Sequence, residues 1–200
     1  MFLKKKIFFI IFFSLLIVYF AFNNPFNKKN KISIGGSFEL TNHLGEPVTD
    51  KNYEKYYKLI FFGFTNCPDF CPNTLNNIGT IIEEIKEKNK LVPIFITVDP
   101  DRDTVTKLKS YLINFHPKIV GLTGTKSQID NVKKNYKIFS KKIMDMKKSD
   151  KDHHDNHDHG GYGVDHTTII YFMNKKGNYL THFNPDDKLS KIVEKINFYL

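Results

Sequence analysis

The sequence predicts an α/β sandwich, a mixed sheet flanked by helices, and three stretches carry that expectation. Leu59 to Phe64 is a short apolar run ended by turn-forming residues, the pattern of a strand buried on both faces. After it Leu75, Ile78, Ile81, Ile82 and Ile85 recur at three and four, the period of an amphipathic helix. Leu91 to Val98, with Pro93 near its start, repeats the scheme and leads into a helix with Val105, Leu108, Leu112 and Phe115 on one face. The third stretch, Thr167 to Met173, is a strong strand by β-branched and aromatic content; Asn174-Lys175-Lys176-Gly177 turns it into Asn178 to Phe183 as a hairpin. A closing helix from about Asp186 shows Leu189, Ile192, Val193 and Ile196.

The other elements follow in order. Gly35-Gly36 opens the alternating segment Ser37-Phe38-Glu39-Leu40, and residues 42 to 47 carry turn chemistry, so a small N-terminal hairpin is expected. Asp103 is placed to cap the helix after the second buried strand. Ile119 to Leu122 is a short strand ended by Gly124, Ser127 with Asp130 resembles the start of a helix with Ile129 and Val132 inward, and Tyr136 to Phe139 reads as one more strand. Lys141 to Gly163 is almost all Lys, Asp, His, Asn and Gly without a periodic apolar face, an exposed loop.

Residues 1–31 form a separate N-terminal piece ahead of a globular domain over 32–200. Ile7 to Phe22 is a sixteen-residue apolar run preceded by Lys4, Lys5 and Lys6, slightly short of a usual membrane span of about 17–25 residues and long for a signal-peptide core. No small-residue cleavage site follows at Phe22-Asn23-Asn24-Pro25, so the run reads as an uncleaved anchor, with a polar tether to Lys31. Lysine abutting the apolar core favours a cytoplasmic N-terminus. A mitochondrial presequence would be arginine-rich and amphipathic; this run is neither, which points to a single-pass protein of a bacterial inner membrane with its domain in the periplasm.

Net charge is +9, yet Arg102 is the only arginine and the lysines are scattered among acids. That distribution is a poor nucleic-acid surface.

Cys67 and Cys71 are the only cysteines, each followed by proline, at the turn between the Leu59 strand and the helix after it. If a helical turn begins near Cys67, the two lie at i and i+4 with their sulfurs on one face. A helix N-terminus stabilises negative charge, so at least one thiol should ionise readily. A structural disulfide closing so small a loop would constrain little. A redox dithiol and a soft-metal site remain, and a third ligand separates them. Of eight histidines, His43, His116 and His182 stand alone, and His153, His154, His157 and His159 lie in the polar tract. His166 sits at the junction of that tract with the strongest strand. If this strand runs antiparallel beside the Leu59 strand, His166 meets the cysteines. Two thiolates and an imidazole with an open coordination shell suit Cu(I), and the imidazole also admits Cu(II).

These residues resemble the Sco/SenC family over about 32–200, on Gly35-Gly36-Ser37-Phe38, Phe62-Gly63-Phe64-Thr65-Asn66-Cys67-Pro68-Asp69-Phe70-Cys71-Pro72, Val98-Asp99-Pro100-Asp101-Arg102-Asp103-Thr104 and Val164-Asp165-His166-Thr167-Thr168. The resemblance implies a thioredoxin-like fold and a role in assembling the copper centre of cytochrome c oxidase. It implies copper ligands at Cys67, Cys71 and His166, a membrane anchor at residues 7–22, a copper-accepting oxidase subunit as partner and a copper donor upstream. The four histidines of the polar tract depart from the family pattern and raise an accessory copper-collecting site. The competing function is thiol-disulfide oxidoreduction through Cys67 and Cys71, although three intervening residues and a histidine before the hairpin strand depart from a thioredoxin-type dithiol; peroxidase chemistry at Cys67 is a weaker third reading.

Overall fold

In the computed structural model, which describes residues 2–22, 33–144 and 162–200, the chain divides into two units, Met1–Ile32 and Ser33–Leu200. The first contains helix α1 (Phe2–Phe22), whose Phe9, Ile10, Phe12, Phe13 and Ile17 side chains are all more than half exposed. Among the described residues no helix is long and apolar enough to cross a membrane, so the expected anchor is not shown.

The second unit is built around its most apolar strand. Its elements are β1 (Glu39–Asn42), β2 (Pro47–Thr49), β3 (Tyr57–Gly63), α2 (Phe70–Glu84), β4 (Leu91–Thr97), α3 (Val105–Leu112), β5 (Val120–Thr123), α4 (Lys126–Tyr136), β6 (Ser140–Met144), β7 (Tyr162–His166), β8 (Ile170–Met173), β9 (Tyr179–Phe183) and α5 (Leu189–Tyr199). Among the described residues seven strands form one sheet in the order β2-β1-β5-β4-β3-β8-β9, and β6 with β7 forms a separate ribbon. The βαβ crossovers through α2 and α3 make β3, β4 and β5 parallel, while the hairpins make β1–β2 and β8–β9 antiparallel. The expected mixed sheet and N-terminal hairpin are both present.

β3 is central because both its faces are apolar. Leu59, Ile60, Phe61 and Phe62 are fully buried, each contributing about 1.5–3 kcal/mol of transfer free energy. It pairs in parallel with β4 and antiparallel with β8, Phe61 opposite Ile170. The antiparallel condition placed on His166 is therefore met: the end of β3 and the residues before β8 lie at the same edge.

Several boundaries differ from expectation. Asp103 does not cap α3; its side chain turns inward as a buried acceptor, and Thr104 caps instead, its Oγ1 accepting from Lys107 N at 3.3 Å. α4 starts from a capping box of Thr125 and Gln128, two residues ahead of Ser127, because Thr and Gln supply both reciprocal bonds. Tyr136 is the last residue of α4, not a strand; the helix stops at Lys137 in the left-handed region (φ 59°), and the strand comes later as β6. The ends of the polar tract are ordered too, since Lys141 to Met144 pair with Tyr162 to Asp165 in the ribbon. The strand expected from Thr167 begins at Ile170. His153, His154, His157 and His159 lie outside the described residues.

Candidate metal centre

The cysteine turn is assembled where β3 runs out of apolar residues. Cys67 N donates to Phe64 O at 3.3 Å, closing a tight turn, and α2 begins only at Phe70 with Asp69 as its cap residue. The expected helical start at Cys67 is thus too early, because Pro68 and Asp69 intervene in non-helical geometry. The two sulfurs are brought together by a different route. Cys71 N–H, an orphan donor of the first helical turn, donates to Cys67 Sγ at 3.4 Å, so the sulfur occupies the place of a capping oxygen. Pro72 is tolerated one residue later because its missing N–H would have had no helical partner.

This arrangement separates the two thiols. A hydrogen bond from the Cys71 side chain, against the opposing effect of partial burial and with help from the Cys71 and Asp69 main-chain N–H groups, holds the Cys67 thiol down at about 5, from an ordinary 9.0. The same hydrogen bond, then burial, drives the Cys71 thiol upward. One proton is thus shared, with Cys67 as the thiolate and Cys71 as the buried partner. Both cysteines are free thiols. Cys71 has room only because Gly63 ends β3: a Cβ there would lie 2.8 Å from Cys71 Sγ and 2.7 Å from Phe95 Cε2.

His166 closes β7, opposite Ser140 in the ribbon. Its Nδ1 lies 2.8 Å from Thr167 O; a carbonyl only accepts, so Nδ1 carries a proton, and in the neutral ring Nε2 is the nitrogen with the lone pair. Nε2 stands 3.8 Å from Cys71 Sγ, and the ring meets Phe64 edge to face with centroids 5.7 Å apart. Cys71 and His166 are therefore in contact, and Cys71 is bonded to Cys67. Among the described residues, however, no three His, Cys, Asp or Glu side chains are arranged to hold a metal ion in this conformation. The donor chemistry fits copper, since two sulfurs and an imidazole nitrogen lie in a chain of pairwise contacts, Cys67 to Cys71 and Cys71 to His166.

The other described histidines are engaged elsewhere. His43 Nδ1 accepts from Gly121 N, His116 bonds Glu83 at 2.8 Å, and His182 bonds Tyr179 at 2.5 Å.

Two buried carboxylates to which sequence reasoning gave no part in the site support it. Asp103, fully buried, accepts from Thr65 N (3.0 Å), Thr65 Oγ1 (2.6 Å) and Thr97 Oγ1 (2.6 Å), fastening the segment that leads into Cys67. Asp99, also fully buried, pairs with Arg102 and accepts from Tyr162 OH at 2.8 Å. The sequence signal that could have found them is the lone arginine among so many lysines, which was read only against a nucleic-acid surface, since a buried planar ion pair needs a guanidinium.

Fold and site define a class: a thioredoxin-like α/β domain that presents two thiols and an imidazole beyond the carboxyl end of its central strand β3. A model of the SCO1/SenC family matches residues 27–200. An SCO2-like protein of Rickettsia prowazekii (strain Madrid E) is 42% identical over 168 residues, covering 83% of this chain and 77% of that protein. Bradyrhizobium japonicum ScoI, solved with copper bound, has a TM-score of 0.71 and 37% identity, covering 84% of this chain and 100% of that one. Arabidopsis thaliana ScoI, also solved with copper bound, has a TM-score of 0.72 and 33% identity, covering 83% and 97%. The chain belongs to the SCO1/SenC family, as the motifs implied.

Proposed function

We propose that this protein binds copper through Cys67, Cys71 and His166 and delivers it to the copper-accepting subunit of cytochrome c oxidase during assembly. The observation that carries the reading is the free Nε2 of His166 at 3.8 Å from Cys71 Sγ, beside a Cys67 already held as thiolate. Copper bound in the two ScoI relatives supports it. Uptake would displace the remaining proton, that of Cys71, so affinity falls as pH is lowered. Cys67 and Cys71 would supply two sulfurs and His166 one imidazole nitrogen to the ion, and a partly exposed turn lets an acceptor exchange ligands.

The apolar run of α1 supports a membrane tether with the domain in the periplasm. Sixteen residues extend about 24 Å, somewhat less than an about 30 Å hydrocarbon layer, a shortfall that flanking lysines and local thinning accommodate. A second reading, thiol-disulfide exchange with the acceptor's cysteines, is favoured by the low-titrating, partly exposed Cys67 beside a buried resolving thiol.

Copper titration of the reduced full chain, wild type against His166→Ala, tests the first reading. The variant should bind more weakly and lose the imidazole contribution to the Cu(II) spectrum while its dithiol is still oxidised and reduced. Unchanged binding and spectrum would remove His166 from the site.

A further inference from the structure

Between β4 and α3, the turn Asp99-Pro100-Asp101-Arg102-Asp103 touches both halves of the metal centre by separate bonds. On one side Asp103 holds Thr65 through its main-chain N–H and its hydroxyl, two residues before Cys67. On the other, Asp99 Oδ1 accepts from Tyr162 OH at 2.8 Å, and Arg102 Nη1 donates to Tyr162 O at 3.0 Å. The Arg102 guanidinium, itself paired with Asp99, lies 3.8 Å from the centroid of the Tyr162 ring. Lys142, from β6, places its Nζ 4.3 Å from the same centroid and 2.7 Å from Asp101 Oδ2. One aromatic ring of the ribbon thus receives two cations and one buried carboxylate.

Such clamping matters because the ribbon is not hydrogen-bonded into the seven-stranded sheet. A two-stranded ribbon by itself is marginally stable, so its position depends on what pins it to the body. At the His166 end Lys133 Nζ donates to Ser140 Oγ at 3.0 Å, and midway along β7 Val164 packs against the core. At the far end the pin is Tyr162. Alternation puts Tyr162, Val164 and His166 on one face of β7, and those three are the half-buried residues of the strand while Gly163 and Asp165 are exposed. The face that gives Tyr162 to Asp99 is therefore the face that gives His166 to Cys71. Arg102 also lies 5.8 Å from the Phe64 ring, which is the ring His166 packs on. Contacts run without a break from Tyr162 through Arg102 and Phe64 to His166.

We propose that residues 99–103 are the positioning bracket of the metal centre: Asp103 holds the cysteine turn through Thr65, and Asp99 with Arg102 holds the His166 ribbon through Tyr162. The turn sets the separation of imidazole and thiols, and Tyr162 is a positioning residue that never touches the metal. The inference rests on the copper reading for its consequence, and on the ribbon contacts alone for its geometry.

The test compares the full reduced chain with Tyr162→Ala, Tyr162→Phe and His166→Ala. Without metal, an NMR contact between the His166 and Phe64 rings is expected in the wild type and is expected to vanish in Tyr162→Ala. With copper ions as the probe, Tyr162→Ala should bind about tenfold more weakly, the lower end of what loss of a contact supporting a ligand does. Added imidazole should restore its Cu(II) spectrum as it restores that of His166→Ala. Tyr162→Phe keeps the ring under Arg102 and loses the hydroxyl's bonds to Asp99 and Lys142, so its affinity should fall in between; it serves if the alanine variant does not fold. Retention of the ring contact together with wild-type affinity in both Tyr162 variants would overturn the bracket. If the wild type binds no copper, the copper reading fails, and the ring contact alone decides the bracket.

Discussion

Replacing Gly63 by alanine inserts one methyl group at the point where the sheet meets the metal centre. The new Cβ would lie 2.7 Å from Phe95 Cε2, 2.8 Å from Cys71 Sγ and 3.2 Å from Phe61 Cε1, all inside the 3.4 Å at which ordinary van der Waals contact begins. All three neighbours are fully buried, and two are aromatic rings held between strands, so none swings away at little cost. Gly63 is not in the left-handed region, so the penalty is one of volume and not of backbone strain. Overpacking by a methyl group costs about 1–3 kcal/mol, and with two contacts under 3.0 Å to buried groups the cost sits in the upper part, about 2–3 kcal/mol, offset by the roughly 0.5–1 kcal/mol that glycine loses to alanine inside a strand. A net loss of about 1–2 kcal/mol corresponds to a Tm lower by roughly 2–8 °C in a chain of this size. Urea unfolding of the reduced full chain should show the lower midpoint with an unchanged slope. Copper affinity should fall as well, because the Cys71 sulfur is the neighbour that leads out of the core. Gly163→Ala is the internal control: a Cβ there meets nothing within 4 Å, so its midpoint should not fall and can rise by the roughly 0.5–1 kcal/mol that alanine gains over glycine inside a strand. Gly63→Ala within about 0.5 kcal/mol of the wild type would refute the reasoning, since that is the range of substitutions that touch nothing.

Alkylation of the apo protein should separate the two thiols. The folded value of Cys67, about 5, lies below the ordinary 9.0, so its thiolate is populated between those limits, where a free cysteine is mostly protonated. Its rate with iodoacetamide, read by mass spectrometry, should level off above about pH 6 while Cys71 stays unmodified; a Cys67 midpoint near 8 to 9 would contradict the assignment. Thr125→Ala removes the capping box of α4 and should cost about 1 kcal/mol in urea unfolding, with Cu(II) binding and spectrum unchanged. A change in the spectrum would show that α4 is coupled to the site.

The legible part of this protein was periodicity and local chemistry. Leu59 to Phe64 and Leu91 to Val98 announced buried strands because apolar residues fill both faces, and the helices between them forced those strands parallel. The cysteine pair and His166 stood out because each lies at the junction of two readable elements. Boundaries were less legible where a polar side chain had more than one use. Asp103 has the character of a helix cap and acts as a buried acceptor, and no one-dimensional pattern distinguishes these, because Thr65 and Thr97 approach it only through the folded sheet. The ribbon was hidden for a similar reason. Its strands are separated by a long polar tract, and its inward face, Tyr162, Val164 and His166, is held mostly by charge and ring contacts instead of an apolar stripe. Sequence alone therefore determined the fold class and the family, and singled out Cys67, Cys71 and His166 as candidate ligands. Tertiary structure decided which thiol is ionised, which imidazole nitrogen is free and what holds them in reach of each other, since each depends on partners that lie far apart in the chain.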